Sequence, residues 1–365
     1  MRYYIIAGEA SGDLHASNLL KAIKKEDPNA EFRGWGGDRM EEQGAVIVKH
    51  YRDLAFMGFV EVVMNLKQIL RNLSICKTDI MRNKPDVVIL IDYPGFNLRI
   101  AKFLKKQGIK VVYYISPQIW AWKKSRVYTI KKVVNKVLVI LPFEKQFYDN
   151  YGVDSEFVGH PLLDEITNEH YNSNFAAEER SVVALLPGSR KQEIKSVLPI
   201  MLSIVDDFPD VDFVIAGVNT LGLKFYESFT RGHNVRTVFN RTYDLLSSAR
   251  AALVTSGTAT LETAIIGTPE AVCYRAGWIS YSIAKRLIKV RFISLVNLIM
   301  DKLVVRELIQ SDLNQVTLRE ELNALLYDEK YRGKMLSDYN ELRLKLGGDG
   351  ASSRAAQVIY SLVNT

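Results

Sequence analysis

Short apolar segments alternate with longer segments of helical periodicity along most of the chain. The apolar segments of the first half are 3–7, 30–35, 45–49, 86–91, 110–115 and 136–141. Those of the second half are 182–186, 211–216, 235–239, 251–254 and 271–274. Alternating strands and helices are typical of parallel α/β sheets covered by helices. The pattern therefore predicts two Rossmann-like, doubly wound α/β domains that face each other across a cleft.

The length of 365 residues favours two domains over one core. We predict an N-terminal domain over 1–165 and a C-terminal domain over 166–346, with the polar segment 167–180 as linker. A glycine-rich break at 347–350 precedes a predicted last helix over 352–362. We expect the segment 347–365 to pack back on the N-terminal domain.

Basic residues exceed acidic residues, and the excess is concentrated. Lys and Arg total 48 against 41 Asp and Glu, a net charge of +7. Segment 99–136 holds eleven basic residues and no acidic one, and segment 272–300 holds five and none. Such segments favour an anionic partner, such as a nucleotide, a lipid phosphate, a membrane surface or nucleic acid. A solvated basic face is an equally consistent interpretation.

Cysteine use and hydropathy predict a cytoplasmic protein or one that lies on a membrane surface. Cys76 and Cys273 are isolated, which disfavours a disulfide framework. We expect no signal peptide before the first strand, and no apolar run approaches the length of a membrane-spanning helix. Segments 54–73 and 278–300 combine apolar and basic residues. They fit amphipathic helices on an anionic bilayer, or ordinary packing against a sheet.

A strand-to-helix turn at 255–258 is a candidate phosphate site. It follows the strand 251–254, and a helical pattern begins at once, with Ser256 or Thr258 as the expected N-cap. A helix N-terminus attracts anions, and Gly257 lets a ligand approach the backbone. Glu262, one turn further on, can accept hydrogen bonds from a sugar hydroxyl. A well-capped helix with an incidental Glu explains this stretch equally well.

A second turn of the same kind, 187–190, favours the ligand-binding interpretation. It follows the strand 182–186 and precedes a helical run over 192–208. Gly188 and Ser189 can present backbone donors, and Arg190 can bind a phosphate with two parallel hydrogen bonds. Two such turns in one half of the chain predict a diphosphate ligand.

The first strand is followed by small and acidic residues, before a helix predicted from about residue 14. These residues are Gly8, Glu9, Ser11, Gly12 and Asp13. Two carboxylates would repel a pyrophosphate, so sugar hydroxyls suit this turn better. A capping turn with Ser11 or Asp13 as the N-cap is the alternative.

Polar and aromatic residues follow other strands of the first half. Asp92 ends an apolar run, where a partly buried carboxylate can have a raised pKa and act as a general base. Asp before a Tyr-Pro-Gly turn is also a common structural choice. Trp120 and Trp122 can stack on sugars, meet acyl chains or pack in the core. His160 can line the cleft or cap a strand.

Seven motifs in this order resemble the lipid-A-disaccharide synthase family. They are GEASGD at 8–13, DYPGFN at 92–97, SPQIWAW at 116–122, LPFE at 141–144, GHP at 159–161, LPGSR at 186–190 and SGTATLE at 256–262. Residues 294–298 are similar to the family's Ser-Leu-Pro-Asn segment but carry Val296 in place of Pro. The resemblance covers residues 5–310, and the last fifty residues match weakly.

The resemblance implies an inverting glycosyltransferase of the GT-B fold at the cytoplasmic face of the inner membrane. It would join UDP-2,3-diacylglucosamine to 2,3-diacylglucosamine 1-phosphate, giving a β-1,6-linked disaccharide and UDP. It implies no cofactor, no metal and no nucleic acid, and a possible homodimer. An epimerase or non-lipid transferase of the same fold, or a non-catalytic basic membrane- or nucleic-acid-binding protein, remains an alternative.

The resemblance and the strand ends together assign three sets of residues. Asp92 is the expected catalytic base. The expected donor-nucleotide set is Gly188, Ser189, Arg190, Ser256, Gly257, Thr258, Ala259, Thr260 and Glu262. The expected set facing the sugars is Gly8, Glu9, Ser11, Gly12, Asp13, His160, Arg275 and Asn297.

Overall fold

The computed structural model describes residues 1–54, 66–122, 124–168, 180–275 and 291–364. The chain divides into two compact units. One contains Met1–Asp164 and the C-terminal segment from Leu346, and the other contains Glu165–Lys345. Both are built on parallel α/β sheets, which confirms the prediction of two doubly wound α/β domains. The boundaries of the units lie one residue from the expected ones, and the segment expected as linker lies largely outside the described residues.

The first unit contains a seven-stranded parallel sheet. Its strands are β1 (Arg2–Ala7), β2 (Glu31–Gly36), β3 (Val46–His50), β4 (Val87–Ile91), β5 (Lys110–Tyr114), β6 (Lys136–Val139) and β7 (Ser155–Phe157), in the order β3-β2-β1-β4-β5-β6-β7. The central strands are apolar on both faces, because helices cover both faces of the sheet. Tyr4 and Ile6 of β1 enter one core cluster, and Tyr3 and Ile5 enter the other.

Helices connect these strands. They are α1 (Ala10–Glu26), α2 (Asp38–Glu42), α3 (Leu66–Asn83), α4 (Pro94–Lys106), α5 (Ile119–Trp122), α6 (Arg126–Val133), α7 (Pro142–Asp149) and α8 (Pro161–Asn168). A short 3-10 helix spans Tyr51–Leu54. Of segment 54–73, a candidate for either membrane contact or packing on a sheet, residues 55–65 lie outside the described residues.

The second unit contains a six-stranded parallel sheet in the order β10-β9-β8-β11-β12-β13. Its strands are β8 (Ser181–Leu186), β9 (Val211–Gly217), β10 (Val235–Phe239), β11 (Ala251–Thr255), β12 (Glu270–Tyr274) and β13 (Glu307–Ile309). Its helices are α9 (Lys191–Leu202), α10 (Leu223–Thr230), α11 (Thr242–Ser248), α12 (Thr258–Ile266), α13 (Leu295–Met300), α14 (Gln315–Tyr327) and α15 (Glu329–Lys345). Short 3-10 helices span Val205–Asp207, Asn219–Leu221 and Gln310–Asp312. Of the expected segment 278–300, residues 278–290 lie outside the described residues.

The last helix, α16 (Ala351–Asn364), belongs to the first unit. It packs against α1, and its Ala355 and Ile359 enter a core cluster of the first sheet. The carboxylate of Asp164 accepts the backbone N–H groups of Gly350 and Ser352 at 2.6 and 2.8 Å. This carboxylate therefore caps a helix that begins almost two hundred residues later in the chain.

Each sheet has one point at which the strand order reverses direction. In the first sheet this point lies between β1 and β4, where Ala7 pairs with Ile91. In the second it lies between β8 and β11, where Leu186 pairs with Val254. Ligands of open α/β sheets bind beyond the carboxyl ends of the strands at such a point. The residues after β1 and β4, and those after β8 and β11, are therefore the candidates for function.

Candidate functional site

A cavity of about 440 Å³ lies at the switch point of the second sheet. Its walls come from the turns after β8, β9 and β11, from the first two turns of α12, and from Glu193 and Thr242 at the starts of α9 and α11. The lining includes Gly188, Ser189, Arg190, Ser256, Gly257, Thr258, Ala259 and Glu262. These are eight of the nine residues expected to bind the donor nucleotide. The ninth, Thr260, is fully buried, and its hydroxyl donates to the Gly257 carbonyl at 2.9 Å, so its side chain serves the helix start.

The turn after β11 leaves the N-terminus of α12 open. The N-cap is Gly257, not Ser256 or Thr258 as expected, and no side chain caps this helix. Ser256 is used elsewhere, because its hydroxyl donates to the Ile293 carbonyl at 3.2 Å. The first turn carries no acidic side chain. The Thr260 N–H donates to the Gly257 carbonyl at 3.3 Å. The N–H groups of Thr258 and Ala259 precede the first intrahelical bond and favour an anion in the cavity.

The turn after β8 is capped by the carboxylate of Glu193, which lies in the first turn of α9. Gly188 has a φ of +109°, in the region that favours glycine. Glu193 accepts from the backbone N–H of Arg190 at 3.3 Å and pairs with its guanidinium at 3.0 Å. The Arg190 side chain is 70% exposed, and such an exposed ion pair contributes little stability. A diphosphate can therefore replace Glu193 as the partner of Arg190.

Glu262 lies in the wall of the same cavity and has a fixed orientation. The hydroxyl of Tyr243 donates to its Oε1 at 2.9 Å. Burial raises the pKa of Glu262. Tyr243 was not among the site residues expected from the sequence. Its position shortly after the carboxyl end of β10 could have indicated a role at the site. The pair offers a carboxylate oxygen to a hydroxylated ligand such as a ribose.

Asp92 follows β4 at the switch point of the first sheet. It has a left-handed backbone, with φ of +41°. The residue is exposed overall, although its carboxylate is partly desolvated and lies near Glu9. Desolvation and the negative charge of Glu9 raise the pKa of Asp92 to about 6. A carboxylate with this pKa can accept a proton near neutral pH.

The residues after β1 are placed differently from the expectation. Helix α1 begins at Ala10 with Glu9 as N-cap, so the helix start predicted near residue 14 is wrong. Glu9 and Ser11 are exposed, whereas Asp13 is 2% exposed. The Asp13 carboxylate accepts N–H groups at the start of α2, from Gly37 at 2.7 Å, Arg39 at 3.1 Å and Met40 at 3.2 Å. It is therefore the cap of α2, and the expected contact of Asp13 with a sugar does not fit this structure.

The two glycines of this segment allow close packing. A Cβ on Gly8 would lie 2.5 Å from the Tyr93 ring, and one on Gly12 would lie 3.3 Å from Ala7. Gly8 thus brings the turn after β1 against the turn that carries Asp92. Both glycines therefore have a packing role in this structure.

Two residues expected to face the sugars are instead buried. His160 is 5% exposed, its Nδ1 accepts the Leu162 N–H at 3.2 Å, and burial lowers its pKa to about 3. Asn297 is fully buried. Its amide donates to Glu307 and to the Val305 carbonyl, at 2.9 and 2.8 Å. Both side chains hold the interior of their own unit, so the expected sugar contacts are not supported.

Arg275 is exposed directly after β12, and its carbonyl accepts the Ser196 hydroxyl at 3.2 Å. Its side chain remains a candidate for contact with a substrate. The role of Arg275 therefore stays a prediction.

Glu144 joins the SPQIWAW and LPFE motifs. It is 1% exposed and accepts from Trp120 Nε1 at 3.1 Å, from the Leu141 N–H at 3.2 Å and from the Ser116 hydroxyl at 3.4 Å. Trp120 also packs edge-on against Phe143, with ring centroids 4.8 Å apart. This arrangement favours the packing interpretation of Trp120. Glu144 was not among the site residues expected from the sequence.

Neither a metal-binding cluster nor a membrane-spanning helix occurs among the described residues. Among these residues, no three His, Cys, Asp or Glu side chains form a group that could hold a metal ion. In the same part of the chain, every helix is too short or too polar to cross a bilayer. That the reaction needs no metal stays a prediction.

Solved structures define the class of the fold. The chain is similar to the glycotransferase of kitacinnamycin, with TM-score 0.71, 14% identity and 99% of each chain covered. It is also similar to the UDP-GlcNAc 2-epimerase of Neisseria meningitidis bound to UDP-GlcNAc, with TM-score 0.67, 13% identity and 100% of each chain covered. The protein therefore has the GT-B fold, which glycosyltransferases and sugar-nucleotide epimerases share.

The family follows from the sequence comparisons. The model of the lipid-A-disaccharide synthetase family matches residues 3–361. A lipid-A-disaccharide synthase of Syntrophus aciditrophicus is 42% identical, with 98% of this chain and 97% of that protein covered. One of Trichlorobacter lovleyi is 38% identical, with 99% and 97% covered. The chain belongs to the lipid-A-disaccharide synthetase family, and the resemblance seen in the sequence is confirmed.

Proposed function

We propose that the protein is an inverting glycosyltransferase that joins UDP-2,3-diacylglucosamine to 2,3-diacylglucosamine 1-phosphate. Family membership supports this reaction over the epimerase and binding-protein alternatives. The observation that carries the proposal is the cavity of the second unit. It combines an open helix N-terminus, an arginine with an exchangeable partner and a carboxylate of fixed orientation.

In the proposed donor complex, the diphosphate lies at the N-terminus of α12 and contacts Arg190. The ribose hydroxyls donate to Glu262. As the bond between the sugar C1 and the UDP oxygen breaks, negative charge grows on the diphosphate. Arg190, once it has exchanged Glu193 for the diphosphate, and the N–H groups at the start of α12 stabilise that charge.

Asp92 is the proposed general base for the acceptor. The 6-hydroxyl oxygen of the acceptor attacks C1 of the donor from the face opposite UDP. Its proton passes to the Asp92 carboxylate, the new C–O bond forms, and UDP leaves with the electron pair of the broken bond. The attack from the opposite face converts the α-linked donor into the β-1,6 product. A pKa of about 6 leaves most Asp92 side chains charged at pH 7.

We further propose that the enzyme works on the cytoplasmic face of the inner membrane, as a peripheral protein. Both substrates carry acyl chains and at least one phosphate, and the segments without acidic residues supply positive charge. The apolar and basic segments 54–73 and 278–300 are the sequence-based candidates for this contact. A homodimer remains a prediction.

The function can be tested by incubating the protein with both lipid substrates in detergent and detecting products by mass spectrometry. We expect disaccharide 1-phosphate and UDP in equal amounts. UDP-GlcNAc supplied alone should be neither epimerised nor consumed. Epimerisation of UDP-GlcNAc without any disaccharide product would support the alternative enzyme class and contradict the proposal.

A further inference from the structure

The carboxyl ends of β4 and β5 carry an unusual concentration of left-handed residues. Asp92, Tyr93 and Ile115 have φ angles of +41°, +47° and +57°. Side chains other than glycine seldom adopt this region, and a β-branched residue such as Ile115 does so least readily. Strained backbone of this kind persists only where surrounding contacts enforce it, and it is concentrated at functional sites.

The contacts that enforce it converge on the backbone of Asp92. Its carbonyl accepts the Tyr113 hydroxyl at 2.6 Å and the Asn97 amide at 2.8 Å. The same Asn97 amide also donates to the Ile91 carbonyl at 3.1 Å. The N–H of Asp92 donates to the Ile115 carbonyl at 3.2 Å, so the residue is held on both sides.

These contacts use the backbone of Asp92 and not its carboxylate. Tyr113 and Asn97 are fully buried, whereas Asp92 is exposed. The two buried donors therefore hold the Asp92 carbonyl from the core, while Asp92 itself lies at the surface. A buried tyrosine hydroxyl needs an acceptor, and here the acceptor is the carbonyl of the proposed base.

We propose that Tyr113 and Asn97 are positioning residues that lock Asp92 in its left-handed conformation and so direct its carboxylate toward the acceptor hydroxyl. This inference rests on the proposed function of Asp92. Neither residue takes part in the proton transfer. Both fix the atom that does, and small errors in such geometry lower rates strongly.

The first test is Tyr113→Phe, which removes one hydroxyl and keeps the ring in the core. We expect kcat to fall about tenfold or more, with UDP affinity unchanged. The acid limb of the pH–rate profile should move to lower pH, because a released carboxylate is better solvated and further from Glu9. Tyr114→Phe is the matched control. Tyr114 is the next residue of β5, equally buried, but it faces the other core cluster, with Ala355.

A second variant, Asn97→Ala, should shift the acid limb in the same direction, and it decides the question if Tyr113→Phe does not fold. The double variant should lose less activity than the product of the two single losses, because both donors hold one carbonyl.

A Tyr113→Phe enzyme with the rate and acid limb of Tyr114→Phe would overturn the inference. A slower enzyme with an unmoved acid limb would overturn it too, because it would show a structural role alone. If the wild-type protein forms no disaccharide, the proposed function fails instead.

Discussion

Single side chains at the first switch point set the chemistry of the proposed base. Glu9 and Asp92 follow neighbouring strands, and their like charges repel. Desolvation and this repulsion favour the protonated form of Asp92. The pair thus places a carboxylate pKa close to the pH at which the reaction would run.

Glu9→Gln tests this electrostatic coupling. Removing the neighbouring negative charge should lower the pKa of Asp92 from about 6. Since the base must be deprotonated, kcat/KM rises with pH through that pKa, and the rise should occur at lower pH in the variant. Glu31→Gln, an exposed carboxylate at the start of β2, is the control. An acid limb at the same pH in Glu9→Gln and the wild type would show that Glu9 does not raise the pKa of Asp92.

Arg190→Ala tests the diphosphate contact. A bidentate contact between charged groups is stronger than an ordinary hydrogen bond, so Kd for UDP should rise by more than about fivefold, or ~1 kcal/mol. Arg180→Ala is the matched control, because Arg180 is an exposed, ion-paired arginine of the same unit. Arg180 lies just before the amino end of β8, away from the cavity. Equal UDP affinities of the two variants, measured by calorimetry, would exclude the assigned role.

The sequence predicts residues better when their role is local. The two glycine turns of the second unit could be recognised because strand, turn and helix start follow one another directly. Asp13, His160 and Asn297 were assigned to the sugars, but the structure buries them. The partners of Asp13 and Asn297 lie elsewhere in the chain, at Gly37 and Glu307, and spacing alone does not reveal such contacts.

At the scale of elements, apolar runs predicted most strands, because strands of a parallel sheet are buried on both faces. Two short edge strands, β7 and β13, were absent from the prediction. Each has three residues, too few for a recognisable pattern. Helix starts were predicted less well, since the caps of α2 and α16 come from Asp13 and Asp164 on other helices.

Glu144 links the segments that follow β5 and β6. Its burial leads to a prediction at the scale of these elements. Burial raises the pKa of Glu144 to about 7, whereas an unfolded Glu titrates near 4.5. Between these values the folded state binds the extra proton, so stability falls as pH rises toward 7 and levels off above it. The Tm of the wild-type protein should therefore decrease from pH 5 to 8 more than that of Glu144→Gln. The difference corresponds to roughly 3 kcal/mol at most.

Thermal unfolding of both proteins, with Glu42→Gln as an exposed control, measures this difference. Parallel Tm curves for the wild type and Glu144→Gln across this range would show that Glu144 does not titrate there.

At the scale of the whole molecule, the alternation of elements was sufficient to predict two doubly wound units. Strand order was not part of that prediction, because hydrophobic pattern does not specify which strands pair. The order matters for function, since it creates the switch points. One switch point carries Asp92 and Glu9, and the other carries the cavity with Arg190 and Glu262.

The proposed base belongs to the first unit and the proposed nucleotide site to the second, so one substitution should separate proton removal from nucleotide binding. Asp92→Asn keeps the shape of the side chain but cannot accept the proton. Its kcat for disaccharide formation and its Kd for UDP should be measured on the same preparation, beside the wild type. We predict turnover reduced at least about 10²-fold, with UDP affinity unchanged. Turnover comparable to the wild type would contradict the assignment of Asp92 as the base.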